Sequence, residues 1–410
     1  MYTKTVVKLA CLVLVSNLIV SCGGSGDPAN PITTFNEGDL VASESVRSPL
    51  KSDISIEFQL PLTTLKYDTD CYKLTYKTPD LSNVLVNASG LVCLPKGKTG
   101  PSPLLSYQHG TIFTQAATPS NPTSVYFWYG AASAAFGYIT VVPDYLGYGV
   151  SSSMPHPYVH AKSLSSTVIN MLRATKRFLA LPSINRATNG QLFLAGYSEG
   201  GYATLAAQKT IELTLASEFT VTASEPGAGP YDVTGTVQAQ SSSSTIFDPS
   251  AGAFLIKSYD TIYNKPSQID HYFTPVPAGL MATLFSGALD GYGIATALGG
   301  YNISTNTLFN QAFLDNYNGA GEVAIKAFVA ENNIYNWKPS APTFLFHGEK
   351  DDVVPYANTT TAIQAMQANG APAVALHNCD AGSLPTTHSN CSWPYHVDMM
   401  ATFAPMALGL

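Results

Sequence analysis

One six-residue segment constrains the fold of this chain more than any other feature. Residues 196–201 read Gly-Tyr-Ser-Glu-Gly-Gly, with the apolar run 192–195 before them and the alanine-rich stretch 202–207 after them. The three glycines permit a strand to turn directly into a helix, where larger side chains would crowd the bend. Such a turn exposes the oxygen of Ser198 at a helix N-terminus. We therefore expect Ser198 to be a nucleophile, with a plain structural turn as the alternative.

The remaining pattern predicts an α/β fold, with a mostly parallel central sheet flanked by helices. Continuous apolar runs, which suit strands buried on both faces, occur at 103–107, 138–142, 192–196 and 343–346. Stretches that suit helices follow them or lie between them, at 124–136, 161–180, 201–215 and 357–369. Earlier in the chain, short alternating apolar and polar runs predict antiparallel strands with one wet face over 54–94.

The alternation of strand and helix breaks down between residues 235 and 339. This stretch is rich in Ser, Tyr, Gly and Ala, and its part 277–298 is apolar, nearly uncharged and predicted to be helical. We interpret 235–339 as a cap inserted into an α/β domain that is formed by 46–234 and 340–410. An ordinary second domain is the competing interpretation.

The N-terminus has the pattern of an export signal. Two lysines precede the apolar stretch 9–20, which is too short for a comfortable membrane span. Residues 18–22, Leu-Ile-Val-Ser-Cys, resemble a bacterial lipobox, in which cleavage before the cysteine exposes it for lipid attachment. We expect a lipoprotein signal peptide over 1–21, a lipidated Cys22 and a tether over 22–45, with an ordinary signal peptide as the alternative. The protein is thus expected to be exported, and to be secreted or to meet a membrane only through this anchor.

Four cysteines remain once one has left with the signal and Cys22 has been acylated. An even number in an exported chain predicts two disulfides. The pairs that are near in sequence, Cys71–Cys93 and Cys379–Cys391, are the simplest prediction, and crossed pairings stay open. No Cys-x-x-Cys or His-rich cluster has the spacing of metal ligands, so we expect no structural zinc.

The charge of the chain argues against a nucleic-acid partner. Charged residues make up 11% of the sequence and the net charge is -7. A surface that binds phosphates needs clustered Lys and Arg, and the sequence has no basic run outside the N-terminus.

A second segment resembles a motif of the α/β-hydrolase superfamily. Members of this superfamily also have a Gly-x-Ser-x-Gly turn. Residues 347–355, His-Gly-Glu-Lys-Asp-Asp-Val-Val-Pro, resemble its acid loop, His-Gly-x-x-Asp-x-x-Val-Pro. The resemblance implies that Asp351 is the acid that orients a catalytic histidine, with Asp352 as the alternative. His347 precedes the acid in the chain, whereas the catalytic histidine follows it in this superfamily, so we expect a structural role for His347.

Three histidines follow the acid loop: His377, His388 and His396. His377 ends an apolar run and is expected in or just after the last strand. His396 falls inside a predicted terminal helix that begins near Ser392. His388 lies in the polar loop before that helix, from which an imidazole can reach the serine and take its proton. We expect His388 to be the base, and His396 remains the alternative.

Three segments together are similar to bacterial relatives of the secretory lipases. They are 108–111 (Gln-His-Gly-Thr), 141–151 (Val-Val-Pro-Asp-Tyr-Leu-Gly-Tyr-Gly-Val-Ser) and 196–201. The resemblance implies an α/β-hydrolase fold and an esterase or lipase. An oxyanion hole, the pair of donors that stabilises the tetrahedral intermediate, is expected to use the backbone N–H of Glu199, the residue after Ser198. By resemblance to other His-Gly-x loops, Thr111 supplies the second N–H, with a plain glycine turn as the alternative.

These expectations combine into a serine carboxylesterase or lipase that acts through an acyl-enzyme. Ser198 attacks the ester, His388 transfers the proton, and Asp351 orients His388. The expected partner is a small-molecule or lipid ester, and no cofactor or metal is expected. The alternatives are a serine peptidase on the same fold and a non-catalytic surface lipoprotein that uses the fold as a binding module.

Overall fold

The computed structural model describes residues 34–264 and 266–410. The predicted signal peptide, Cys22 and the tether up to residue 33 lie outside the described residues. The strands are β1 (Leu40–Arg47), β2 (Thr69–Pro79), β3 (Leu85–Pro95), β4 (Ser102–Gln108), β5 (Ile139–Pro143), β6 (Thr188–Tyr197), β7 (Ala223–Gly227), β8 (Thr245–Ile246), β9 (Ile303–Ser304), β10 (Thr343–His347) and β11 (Val374–Asn378). The helices are α1 (Lys51–Phe58), α2 (Val125–Ala135), α3 (Ala161–Leu179), α4 (Glu199–Thr214), α5 (Val233–Ser242), α6 (Pro249–Tyr263), α7 (Ile269–Tyr272), α8 (Pro275–Leu284), α9 (Gly291–Ala297), α10 (Thr305–Leu308), α11 (Gln311–Asn318), α12 (Val323–Glu331), α13 (Ala357–Ala368) and α14 (Ser392–Phe403).

A nine-stranded sheet organises these elements, in the order β1-β2-β3-β5-β4-β6-β7-β10-β11. The first three strands pair antiparallel, and β3 pairs antiparallel with β5. From β5 to β11 all neighbours are parallel. The predicted α/β fold is confirmed, and the carboxyl ends of β6, β10 and β11 therefore point to the same edge of the sheet.

Apolar residues cover both faces of the sheet. Leu104 and Leu194 belong to one buried cluster, together with residues of α3 and α4. The alternating neighbours Leu105 and Phe193 belong to a second cluster, with residues of α1, α2 and α14. The four continuous apolar runs of the sequence are β4, β5, β6 and β10, because strands buried on both faces need no polar side.

Two sequence-based boundaries are wrong. The stretch predicted as antiparallel strands from residue 54 begins instead with α1, whose N-terminus is capped by Asp53: its carboxylate accepts a 3.1 Å hydrogen bond from the N–H of Leu50. Residues 40–45, assigned above to the tether, belong to β1, in which Ser43 pairs with Leu74 of β2. That pairing depends on a strand distant in sequence, so local composition did not reveal it.

The stretch predicted as a cap contains helices and one short two-stranded ladder. Helices α5 to α12 lie between β7 and β10, which are adjacent in the sheet, and β8 pairs with β9. The apolar part 277–298 forms two helices, because Asp290 caps α9 by accepting a 2.8 Å hydrogen bond from the N–H of Gly293. The cap boundaries 235 and 339 stay a prediction.

Two disulfides have the predicted pairing. Cys71–Cys93 joins β2 to β3, and Cys379–Cys391 joins the residue after β11 to the residue before α14. Across residues 34–264 and 266–410, no helix combines the length and the apolar character needed to cross a bilayer.

Candidate active site

Ser198 lies on a sharp turn between β6 and α4. Its φ of 62° and ψ of -125° are unusual for a residue with a side chain, and such strain persists only where the surroundings enforce it. The N–H of Ser198 donates a 2.8 Å hydrogen bond to the carbonyl oxygen of Gly227. A Cβ added at Gly200 would lie 2.0 Å from the carbonyl oxygen of Gln108, and one at Gly201 would lie 2.1 Å from that of Gly227. Glycine is therefore required at both positions, as the sequence pattern predicts.

His388 reaches Ser198 from the loop between β11 and α14. Its Nε2 lies 2.9 Å from the hydroxyl oxygen of Ser198. The disulfide Cys379–Cys391 closes the two ends of this loop. A Cβ added at Gly348 would lie 2.3 Å from the carbonyl oxygen of Thr386, so the loop packs directly on the backbone after β10.

Asp351 holds the other side of the imidazole. Its Oδ2 lies 2.6 Å from Nδ1 of His388 and 3.1 Å from Nε2 of His347. Its Oδ1 accepts hydrogen bonds of 2.9 and 2.8 Å from the N–H groups of Val353 and Val354. Burial works to raise the pKa of Asp351, but His388 and His347 outweigh it and hold that pKa well below its usual range. Asp351 is thus a buried, ionised carboxylate.

The neighbouring candidates do not reach Ser198. Asp352 contacts only the N–H of His388, at 3.2 Å, and not its ring. His396 is buried in α14, where Nε2 lies 2.6 Å from the hydroxyl of Tyr107 and Nδ1 lies 2.8 Å from the carbonyl oxygen of Ser392. Burial lowers the pKa of His396 to about 4, so its ring is neutral near neutral pH. His377 lies in β11, as predicted, and contacts a different carboxylate.

The two residues predicted to supply oxyanion donors, Thr111 and Glu199, lie beside Ser198. Glu199 is the first residue of α4, so its N–H has no partner within the helix. A Cβ added at Gly110 would lie 3.7 Å from Cβ of Ser198, which brings the loop of Gly110 and Thr111 beside the serine. Among the described residues, neither N–H, of Thr111 or of Glu199, donates to a protein acceptor. Both N–H groups therefore remain candidates for the oxyanion hole.

The loop that carries Thr111 is held by buried aromatic contacts. His109 is fully buried, its Nδ1 lies 2.7 Å from the carbonyl oxygen of Gly110, and its ring stacks on Tyr145 with 4.1 Å between centroids. The hydroxyl of Tyr145 donates a 3.1 Å hydrogen bond to the carbonyl oxygen of His109. The hydroxyls of Thr111 and Tyr158 lie 2.9 Å apart. These contacts restrain the backbone amide of Thr111.

Sequence reasoning missed a residue that contacts the side chain of Glu199. Nε2 of His156 lies 2.7 Å from Oε1 of Glu199, and the two side chains are 3% and 0% exposed. Nδ1 of His156 lies 2.7 Å from the carbonyl oxygen of Leu146, which can only accept, so this nitrogen carries a proton. His156 is distant from Glu199 in sequence and lies in no motif. The only sequence signal for such a partner is the acidic residue Glu199 inside the Gly-x-Ser-x-Gly turn.

A cavity of about 460 Å³ opens at Ser198 and His388. Much of its wall is apolar or aromatic, and part of it comes from the segment between β7 and β10; these residues include Phe113, Tyr126, Tyr158, Phe247, Leu255 and Tyr301. Among the described residues that line it, Glu199 and Asp248 are acidic and none is Lys or Arg. The cavity suits an uncharged, partly apolar ligand.

Comparison with solved structures places this architecture among hydrolases. The rice cell wall degrading esterase LipA from Xanthomonas oryzae is 26% identical with a TM-score of 0.78, over 90% of this chain and 98% of that one. A putative hydrolase from Legionella pneumophila is 28% identical with a TM-score of 0.78, over 90% and 98%. Candida antarctica lipase A, 19% identical with a TM-score of 0.62 over 88% of this chain and 79% of that one, shares the fold.

Family membership follows from the sequence match. The model of the secretory lipase family matches residues 131–409, well over half of the 410 residues. A search of curated proteins gave no significant match. The two disulfides and the family agree with an exported protein. The chain belongs to the secretory lipase family and is a carboxylic ester hydrolase with the α/β-hydrolase fold.

Proposed function

We propose that this protein is a serine carboxylesterase or lipase in which Ser198 is the nucleophile, His388 the base and Asp351 the acid. The observation that carries the proposal is a continuous pair of hydrogen bonds, 2.6 Å from Asp351 to His388 and 2.9 Å from His388 to Ser198. The strained turn at Ser198 and its position before α4 support the same assignment.

The reaction has two proton-balanced halves. Nε2 of His388 takes the proton of Ser198 as the serine oxygen bonds to the ester carbonyl carbon. The resulting oxyanion accepts hydrogen bonds from the N–H groups of Thr111 and Glu199. Collapse of the intermediate breaks the ester C–O bond, and His388 gives its proton to the leaving alcohol. Water then attacks the acyl-enzyme by the same route, which releases the acid and restores Ser198.

Asp351 acts on the orientation and charge of His388. Its Oδ2 accepts a hydrogen bond from the Nδ1–H of His388, which leaves Nε2 free to accept one from Ser198. Because the pKa of Asp351 is held low, its negative charge is present throughout the pH range in which imidazole can act as a base. That charge stabilises the imidazolium that forms when Ser198 attacks.

The substrate that fits best is a neutral ester with an apolar or aromatic acyl group. The cavity wall supports this, since aromatic side chains form much of it and no Lys or Arg among the described lining residues would attract an anionic ester. Lipid esters are included in this class. The related LipA is a cell wall degrading esterase, which supports esterase chemistry on this fold.

We further propose that Cys22 carries a lipid anchor. The support is the sequence at 18–22, Leu-Ile-Val-Ser-Cys, after a short apolar stretch. Cells that express the protein would be labelled with a radioactive fatty acid. We expect label in the wild type and none in Cys22→Ser, and label in both would contradict the assignment.

The test of the catalytic assignment is hydrolysis of p-nitrophenyl butyrate and laurate by purified protein. We expect Ser198→Ala and His388→Ala each to lower kcat by roughly 10⁴-fold or more. The matched control is Ser152→Ala, an exposed serine. A fluorophosphonate probe should label the wild type and the control, but not Ser198→Ala. Equal turnover by wild type and Ser198→Ala would contradict the proposal.

A further inference from the structure

Three ligand-type side chains meet on the side of the sheet that α14 covers. Glu225 lies in β7, His377 in β11 and Asp398 in α14. Each side chain offers one possible ligand atom, a nitrogen or an oxygen, and these three atoms all lie within 4.8 Å of one another. The closest pair is Nδ1 of His377 and Oδ2 of Asp398, at 2.6 Å. Two carboxylates and one imidazole thus converge on one point.

Glu225 is the buried member of this cluster. Its side chain is fully buried, and neither of its carboxylate oxygens has a hydrogen-bond partner among the described residues. Buried carboxylates without a donor are costly, and a bound cation is one of the few arrangements that removes the cost.

We propose that Glu225, His377 and Asp398 form a binding site for a divalent transition-metal ion, with Zn²⁺ as the best fit. Carboxylate oxygens and imidazole nitrogens bind Zn²⁺ at about 2.0–2.2 Å, which separates adjacent ligand atoms by roughly 3.4 Å. The 2.6 Å between Nδ1 of His377 and Oδ2 of Asp398 must widen toward that value, and the three ligand atoms already lie within 4.8 Å of one another. The ion takes the place of the proton between His377 and Asp398.

The exposure of the site suits an ion with water ligands. The side chains of His377 and Asp398 are 26% and 37% exposed, so an ion can enter from solvent and water can complete its coordination. Glu225 lies at the buried end. The arrangement combines one buried ligand, Glu225, with two partly exposed ligands, His377 and Asp398. The exposed side chains can shift by the few tenths of an ångström that coordination requires.

The site would join parts of the chain that are distant in sequence. His377 and Asp398 flank the disulfide-closed loop 379–391, and Glu225 belongs to the central sheet. A bound ion would therefore tether both ends of this loop to β7. The binding itself does not depend on the proposed catalytic role of His388, so the two proposals can fail separately.

The test is zinc binding by the full chain after treatment with a chelator and desalting. Calorimetric titration with Zn²⁺ and metal analysis of the recovered protein should give one ion per chain. We expect Glu225→Gln and His377→Ala each to weaken binding by at least about tenfold, since removal of even a hydrogen-bond partner of a metal ligand costs that much. The matched control is His271→Ala, because that histidine also pairs with a carboxylate, Glu322, at 2.9 Å.

Thermal unfolding provides a second readout. Zn²⁺ should raise Tm of the wild type and of His271→Ala, and should raise Tm of His377→Ala by much less. If Glu225→Gln does not fold, His377→Ala provides the test, because the side chain of His377 is partly exposed. Absence of zinc binding by the wild type, or unchanged binding by the variants at Glu225 and His377, would overturn the proposal. Neither readout uses ester hydrolysis.

Discussion

The hydroxyl of Tyr197 donates a 2.8 Å hydrogen bond to the carbonyl oxygen of His388. Tyr197 directly precedes Ser198, so the strand that carries the proposed nucleophile also holds the backbone of the proposed base. Burial, followed by Asp351, raises the pKa of Tyr197 well above its usual range, which keeps the hydroxyl protonated as a donor. The bond links two segments that are 191 residues apart in the chain.

Removal of this bond should slow the reaction without abolishing it. Tyr197→Phe keeps the ring and loses one hydrogen bond, which is worth about 0.5–1.5 kcal/mol. We expect kcat for p-nitrophenyl butyrate to fall by up to about tenfold while KM changes little. Tyr356→Phe is the control, since its hydroxyl bonds to Asn378 at 2.8 Å, away from Ser198. Equal kcat in wild type and Tyr197→Phe would show that the bond does not position His388.

The two adjacent acids should behave differently. Asp351→Asn keeps the shape but favours the wrong tautomer of His388, so kcat should fall by about 10⁴-fold. Asp352→Asn should keep most of the activity, because this side chain contacts only the backbone N–H of His388. Steady-state kinetics of both purified variants measures the difference. A large loss in Asp352→Asn with a small loss in Asp351→Asn would reverse the assignment of the acid.

Glu199 is expected to act as a positioning residue through its side chain. Glu199→Ala leaves the buried ring of His156 without its partner, which should lower the unfolding free energy by about 1–3 kcal/mol. It should also lower kcat/KM, because the N–H proposed for the oxyanion hole lies on the same residue. Glu199→Gln can still bond to His156 and should restore both quantities.

Urea unfolding and ester kinetics of the two variants at Glu199 test this expectation. If Gln is as damaging as Ala, the negative charge of Glu199 matters and not its hydrogen bond. If Ala leaves kcat/KM unchanged, the contact with His156 has no part in the reaction.

His396 should make the folded protein less stable in acid. Its folded pKa, about 4, lies below the value of about 6.5 expected in the unfolded chain. The unfolded state therefore binds a proton first, and stability is lost as the pH falls from about 6.5 toward about 4. The loss can reach on the order of 3 kcal/mol across this window.

His396→Gln removes this titration. We expect its unfolding free energy, measured in urea at about pH 7 and about pH 4.5, to change less with pH than that of the wild type. Its ester hydrolysis should persist, because His396 bonds to Tyr107 and not to Ser198. His271→Gln, at an exposed histidine, is the control. An unchanged pH dependence in His396→Gln would mean that this ring is not buried as a neutral group.

Most of the fold was predictable because its signals are local. The apolar runs that became β4, β5, β6 and β10 are visible as continuous sequence, and so are the helices between them. The failures occur where a distant partner decides the conformation. Residues 40–45 pair with β2, and no property of these six residues reveals that strand. The near-in-sequence disulfides were predictable because their partners are close along the chain.

The candidate site likewise has parts that the sequence predicted and parts that depended on folding. The glycine pattern around Ser198 and the loop around Asp351 were recognisable, because each element must satisfy its own backbone geometry. The choice between His388 and His396 stayed open in the sequence, since both follow the acid. Chain folding places the first ring 2.9 Å from Ser198 and buries the second against Tyr107. The catalytic roles themselves remain a proposal.

Sequence alone was sufficient for the fold class and the sharp serine turn, because short-range backbone and burial rules govern both. It was also sufficient for the two disulfides, because their cysteines are close along the chain. Folding was needed to bring His156 to Glu199, and to assemble Glu225, His377 and Asp398 from two strands and a helix. The reason is physical: a contact between residues far apart in the chain depends on how whole elements pack, and residue spacing does not encode that packing.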